Sequence, residues 1–204
     1  MALIISVASL FYLEDTIPIH FGPNGKPDQF GSKYFVLLFF GIIAALGVTM
    51  LLVAQFGKVT ENYKKHLLRT CFLTTLFMTA ILIAMISYAK YYNAEGSAFD
   101  ISKVLVPLLG ILFVVMGNYM PKIEKNRTLG IRCKWTLFSE TTWQKSHRIG
   151  GFVLVLNGIA TTICGVFLSG ILNFAILFGL LGVSITVICI AAYLIYKKER
   201  DGGR

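Results

Sequence analysis

His147 follows Glu140 by seven residues, two turns of an α-helix, so both side chains would lie on one face. That spacing could carry general acid–base chemistry, with carboxylate and imidazole passing protons to and from a bound substrate. The rest of such a site is not evident in the sequence. No nucleophile with an orienting partner stands out, and no carboxylate cluster suits a metal-assisted transferase. A second histidine, His20, lies among Glu14, Asp15 and Asp28, but one histidine with irregularly spaced carboxylates is a poor metal site. The cysteines, Cys71, Cys133, Cys164 and Cys189, have neither zinc nor disulfide spacing and read as small buried hydrophobes. The pattern favours recognition over catalysis, with no metal and no cofactor expected.

The elements that must position these residues are set by composition. Of 204 residues 56% are hydrophobic and only 14% charged, at a mean hydropathy of +0.72, too little charge to surface a soluble domain of this size. The apolar residues fall in long runs, which points to a bilayer as solvent. The runs 34–56, 67–89, 103–120, 149–169 and 171–196 are each long enough to span, and backbone satisfaction in lipid makes each a helix. A turn near Ser169–Gly170 should fold the last two into an antiparallel hairpin. Residues 1–13 reach only about 20 Å as a helix, against a hydrocarbon core of about 30 Å. They read as the exit half of a first transmembrane helix. The fold class expected is an all-α polytopic membrane protein of about six transmembrane helices.

Charge orients the spans. Segment 57–70 carries four Lys and Arg residues, 121–148 seven and the tail 197–204 four, whereas the other side holds only Lys26, Lys33, Lys90 and Lys103. The positive-inside rule places the richer side in the cytoplasm, with the C-terminus there and the N-terminus with it. Since topology accounts for the net charge of +9, direct nucleic-acid binding is not expected. No ionisable residue lies mid-span, which disfavours proton pumps and voltage sensors. The division expected is an N-terminal unit, 1–66, with an outer loop at 14–33; a middle helical hairpin, 67–120; and a C-terminal unit, 121–204. Gly151, Gly158 and Gly165 recur every seven residues and should pack one helix closely on a neighbour, as should the pairs Gly41/Ala45 and Ala175/Gly179.

Two dense patches interrupt the apolar runs. In the outer one, Ile17–Phe21 should be extended, with Gly22, Pro23, Asn24 and Gly25 turning the chain back into a small hairpin. In the inner one, Asn126 to Gly130 should turn. Ser139 is then a good N-cap, with Glu140 in the first turn and Phe138 and Trp143 spaced as a hydrophobic staple. That helix should continue through His147 into the next span. Trp135 and Trp143 suit the headgroup level.

At these patches the chain resembles the SdpI family of bacterial membrane immunity proteins against the sporulation-delaying peptide toxin. The resemblance rests on Gly117-Asn118, Pro121-Lys122, Asn126, Gly130-Ile131-Arg132, Trp135-Thr136-Leu137, Glu140, Trp143, His147-Arg148 and Gly151. The outer patch is similar to the family's N-terminal domain of unknown function at Pro18, His20-Phe21, Gly25, Pro27-Asp28 and Ser32-Lys33. Cys133-Lys134 stands where the family usually has Thr-Pro, and Ser146 where it has Thr. The resemblance implies a plasma-membrane protein that protects against a membrane-active peptide toxin, with lipid around it and a cytoplasmic repressor as a further partner. Recognition would fall to His20, Phe21 and Asp28 outside, and to Asn126, Arg132, Trp135, Trp143, His147 and Arg148 inside. Two rivals have clear requirements. A small-molecule or lipid transporter needs a polar path lined by Asn157, Thr161 and Thr186. An interfacial enzyme needs one cavity holding both His147 and Glu140.

Overall fold

The computed structural model describes residues 2–57, 61–95, 99–126 and 129–202. The elements are α1 (Ala2–Ser9), β1 (Thr16–Phe21), β2 (Pro27–Ser32), α2 (Phe35–Phe56), α3 (Glu61–Glu95), α4 (Ser102–Tyr119), a 3-10 turn (Met120–Lys122), α5 (Glu140–Phe167) and α6 (Gly170–Gly202). The protein is an all-α polytopic membrane protein carrying one small sheet, and α2 to α6 are each long and apolar enough to cross a bilayer. Three of these helices outrun their apolar stretches, because polar turns at their ends stay helical beyond the lipid. α1 covers eight of the residues 1–13 that read as the exit half of a first span. At eight residues α1 reaches about 12 Å, and bonds from Phe11 N to Ala8 O and from Tyr12 N to Ser9 O then tighten the chain into turns.

Two compact units divide the chain. The first comprises Met1–Leu105 with Ser169–Ile171; the second comprises Val106–Leu168 with Leu172–Arg204. In the first, Leu13, Ile17, Val36, Ile43, Leu82, Ile86 and Ala89 form a buried apolar cluster. The hairpin is antiparallel, pairing Thr16 with Ser32 and Phe21 with Pro27, with a register irregularity near His20. Pro18 is tolerated because a two-stranded sheet is all edge. The hairpin is seated by rings, Phe21 edge-on to Tyr88 at 5.0 Å and Phe30 tilted against Tyr92 at 5.6 Å.

Asp100 packs against the hairpin's tip and fixes the turn whose Ile101 amide bonds it, a role its sequence context does not announce. One carboxylate oxygen accepts from Ser102 N at 2.9 Å and the other from Gly170 N at 2.6 Å. Ile101 N donates to Gly25 O at 2.9 Å. Gly25 has φ +72° and lies against Asp100, where a Cβ would overlap the carboxylate. Asp100→Ala removes the acceptor from Ser102 N, at a cost of about 1–3 kcal/mol for a donor left buried, and leaves Gly170 N only Ser102 Oγ at 3.2 Å. The expected result is a hairpin cut faster by protease, with helical content unchanged; an unaltered digestion rate would refute that role.

In the second unit the glycine stripe of α5 meets α4. A Cβ on Gly151 would lie 2.6 Å from Gly117 O, and one on Gly158 2.5 Å from Gly110 O. A Cβ on Gly165 would lie 2.7 Å from Cδ of Pro107. Gly110 and Gly117 are themselves seven apart, so two small-residue stripes face each other. Gly41 and Gly179 differ: a Cβ on either would meet nothing within 4 Å, so those two faces are open. α6 returns along α5, as Asn157 Nδ2 donates to Ser184 Oγ at 2.7 Å and the ring of Phe138, just before α5, meets Tyr196 at 4.9 Å.

Candidate recognition site

The inner patch is a folded cap on the start of α5. Ser139 is the N-cap, extended at φ −145°, and its hydroxyl accepts from Thr142 N at 3.0 Å. Thr142 Oγ1 in turn accepts from Ser139 N at 3.0 Å, completing a reciprocal box with threonine in the place usually taken by Glu or Gln. The staple rings have other partners: Phe138 packs on Tyr196, and Trp143 stacks on His147 at 3.9 Å with 22° between planes.

Trp143 and His147 are both fully buried, and each reaches back to the preceding loop. Trp143 Nε1 donates to Ile123 O at 2.7 Å. His147 Nε2 accepts from Ile131 N at 3.0 Å, and Nδ1 lies 2.9 Å from Trp143 O. An Nε2 that accepts must carry a lone pair, so the proton sits on Nδ1 and is donated to the carbonyl. Gly130 lets the loop come this close: φ is +96°, and a Cβ would collide with His147 Nε2.

The loop's remaining polar groups close on themselves. Asn126 Oδ1 accepts from Leu129 N at 2.6 Å and its Nδ2 donates to Glu124 O at 2.8 Å, so Asn126 makes the expected turn; Arg127 and Thr128 lie outside the described residues. Buried Thr136 donates to Ile131 O at 2.7 Å and accepts from Cys133 N at 3.1 Å. Cys133 takes part through its backbone amide and also through its thiol, whose Sγ lies 3.7 Å from Thr136 Oγ1.

The named inner residues thus separate by position. Asn126, Trp143 and His147 hold the loop's shape, and burial denies Trp143 and His147 direct contact with any outside molecule. Arg132 and Arg148 are exposed, and Trp135 is half-buried with its ring edge-on to Tyr193 at 5.3 Å. With Phe138 on Tyr196, this gives a partly exposed aromatic strip shared between the loop and α6. In the outer patch His20 and Asp28 come together on the exposed face, Nδ1 to Oδ1 at 2.5 Å, while Phe21 is turned toward Tyr88. Sequence reasoning passed over Thr136, Asp100 and Tyr193; only the Trp-Thr-Leu motif pointed at the first.

Glu140 is exposed in a groove whose lining excludes the buried His147. Asn157 and Thr161 are buried and bonded to each other at 3.0 Å, whereas Thr186 is exposed and donates back to Gly182 O at 2.9 Å.

Comparison with known proteins agrees with the resemblance. Residues 122–195 match the model of the SdpI/YfhL protein family, and residues 1–45 match a domain of unknown function, DUF1648. The Immunity protein SdpI of Bacillus subtilis (strain 168) is 26% identical over 198 residues, covering 97% of this chain and 92% of that protein. No solved structure matches. The cap, its buried Trp–His pair and the helical hairpin behind it therefore form the segment that matches the SdpI/YfhL family model, and the N-terminal hairpin lies in the segment that matches DUF1648.

Proposed function

We propose that this chain is an immunity protein of the bacterial cell membrane, protecting against a membrane-active peptide toxin without catalysing a reaction. The observation that carries the reading is near-full-length similarity to an immunity protein, in a chain whose polar patches are built surfaces rather than a reaction cavity. The outer hairpin, facing the extracytoplasmic side, meets the toxin through His20 and Asp28, with Phe21 anchoring the strand beneath them. The 121–148 cap faces the cytoplasm. There the aromatic strip of Trp135 and Phe138, flanked by Arg132, is the surface for a protein partner such as a repressor. An aromatic strip is favoured over charge for this contact, because a DNA-binding partner is commonly basic, as this loop is.

Survival of a sensitive bacterial strain, carrying this chain or an empty vector, tests the reading across a titration of the sporulation-delaying peptide. The expected result is protection that His20→Ala lowers about tenfold in tolerated dose, at unchanged membrane abundance, the cost of about one charged hydrogen-bonding contact. Trp135→Ala should remove recruitment of the cytoplasmic partner and leave membrane insertion intact. A chain present at normal abundance that gives no protection would defeat the assignment.

A further inference from the structure

Four cations line one groove of ≈ 340 Å³ at the start of α5: Lys122 and Lys125 after α4, and Lys145 and Arg148 on α5 itself. Among the described residues none of the four belongs to an ion pair such as His20–Asp28, Lys33–Asp15 or Arg200–Asp201. Glu124 and Glu140 share the lining and leave two positive charges in excess. Unneutralised cations at this density favour an anion from outside the chain.

The groove's setting identifies the kind of anion. Lys122 closes the apolar stretch of α4, and Arg148 is the last charged residue before the long apolar run of α5. Along α5, Lys145, Ile149, Phe152 and Leu156 follow at helical spacing on one stripe, and all are exposed. A cationic groove therefore continues directly into an outward-facing apolar stripe. A soluble anion has no use for the second part; an amphiphile fits both. We propose that this groove binds the phosphate headgroup of an anionic phospholipid, whose acyl chain lies along Ile149, Phe152 and Leu156. The bound lipid would brace the cap against α5 at its polar edge. Neither Arg132 nor Trp135 lines the groove, so the aromatic strip remains available to a protein partner.

Native mass spectrometry of the purified full-length protein in detergent tests this, with phosphatidylglycerol or phosphatidylcholine as the added lipid. The wild type should retain phosphatidylglycerol at least about tenfold more strongly than phosphatidylcholine, given the contribution expected of cations at a membrane surface. K145Q/R148Q should lose that preference, K145R/R148K should keep it, and K197Q/K198Q in the tail should match wild type. Inorganic phosphate at the lipid's concentration should not displace the lipid. Equal retention of both lipids, or an equal loss in the tail variant, would overturn the site. Displacement by inorganic phosphate, or failure of the conservative variant, would do so as well.

Discussion

Gly158→Val should destabilise the second unit by about 3 kcal/mol or more, a fall in Tm of about 10 °C, read by loss of monodisperse protein on heating in detergent. The argument is steric. A Cβ on Gly158 would stand 2.5 Å from Gly110 O and 2.6 Å from Val114 N, and both are backbone atoms of α4. Neither can rotate away as a side-chain tip could, so α4 and α5 must separate along their contact. In lipid no hydrophobic effect drives the helices together again, since tails solvate apolar side chains as well as a neighbouring helix does. Close van der Waals contact between the stripes is then the main term lost. Gly179→Val provides the control, because a Cβ there meets nothing within 4 Å. It should leave Tm unchanged within error. Equal falls in the two variants would show that glycine content, and not the α4–α5 contact, governs stability.

What the sequence discloses divides by the range of the interaction that fixes it. The cap at Ser139 is readable because its partner lies three residues away. The hairpin is readable because its turn residues are contiguous. The stripe Gly151, Gly158, Gly165 is readable as a period, but its partner is not, because Gly110 and Gly117 keep the same spacing on an earlier helix with no local link to α5. Burial of the Trp143–His147 pair depends on Ile123 and Ile131, twenty and sixteen residues upstream, and no local pattern reports such a closure. Those two residues read equally well as an interfacial anchor and a lone polar group. Asp100 was hidden for a related reason. A carboxylate between two apolar runs satisfies the topology rule, which conceals that it bonds Gly170, seventy residues later.

The same closure makes His147 a positioning residue, and His147→Phe separates that role from contact. Phenylalanine keeps a ring to stack on Trp143 but offers no acceptor to Ile131 N–H, now 3.0 Å from Nε2. A buried amide left without a partner costs about 1–3 kcal/mol; for the part-buried Ile131 N–H the lower end applies, about 1 kcal/mol or roughly 5-fold faster opening of that amide. Trp143 O is less affected, since as a helical carbonyl it also receives the main-chain bond of the turn. Hydrogen exchange should therefore accelerate at Ile131 and across the Cys133–Thr136 turn, while α5 beyond Gly151 stays protected. His147→Gln restores an acceptor near the position of Nε2 and should recover most of the protection. If the cap presents a surface to a cytoplasmic partner, recruitment should follow exchange across the two variants, lost in His147→Phe and kept in His147→Gln. This should hold although His147 is fully buried and cannot touch the partner. Recruitment lost equally in both variants, with exchange restored only in the glutamine form, would mean that the imidazole does more than hold the loop. Unchanged exchange in His147→Phe would show that the Ile131 bond does not hold the cap in place.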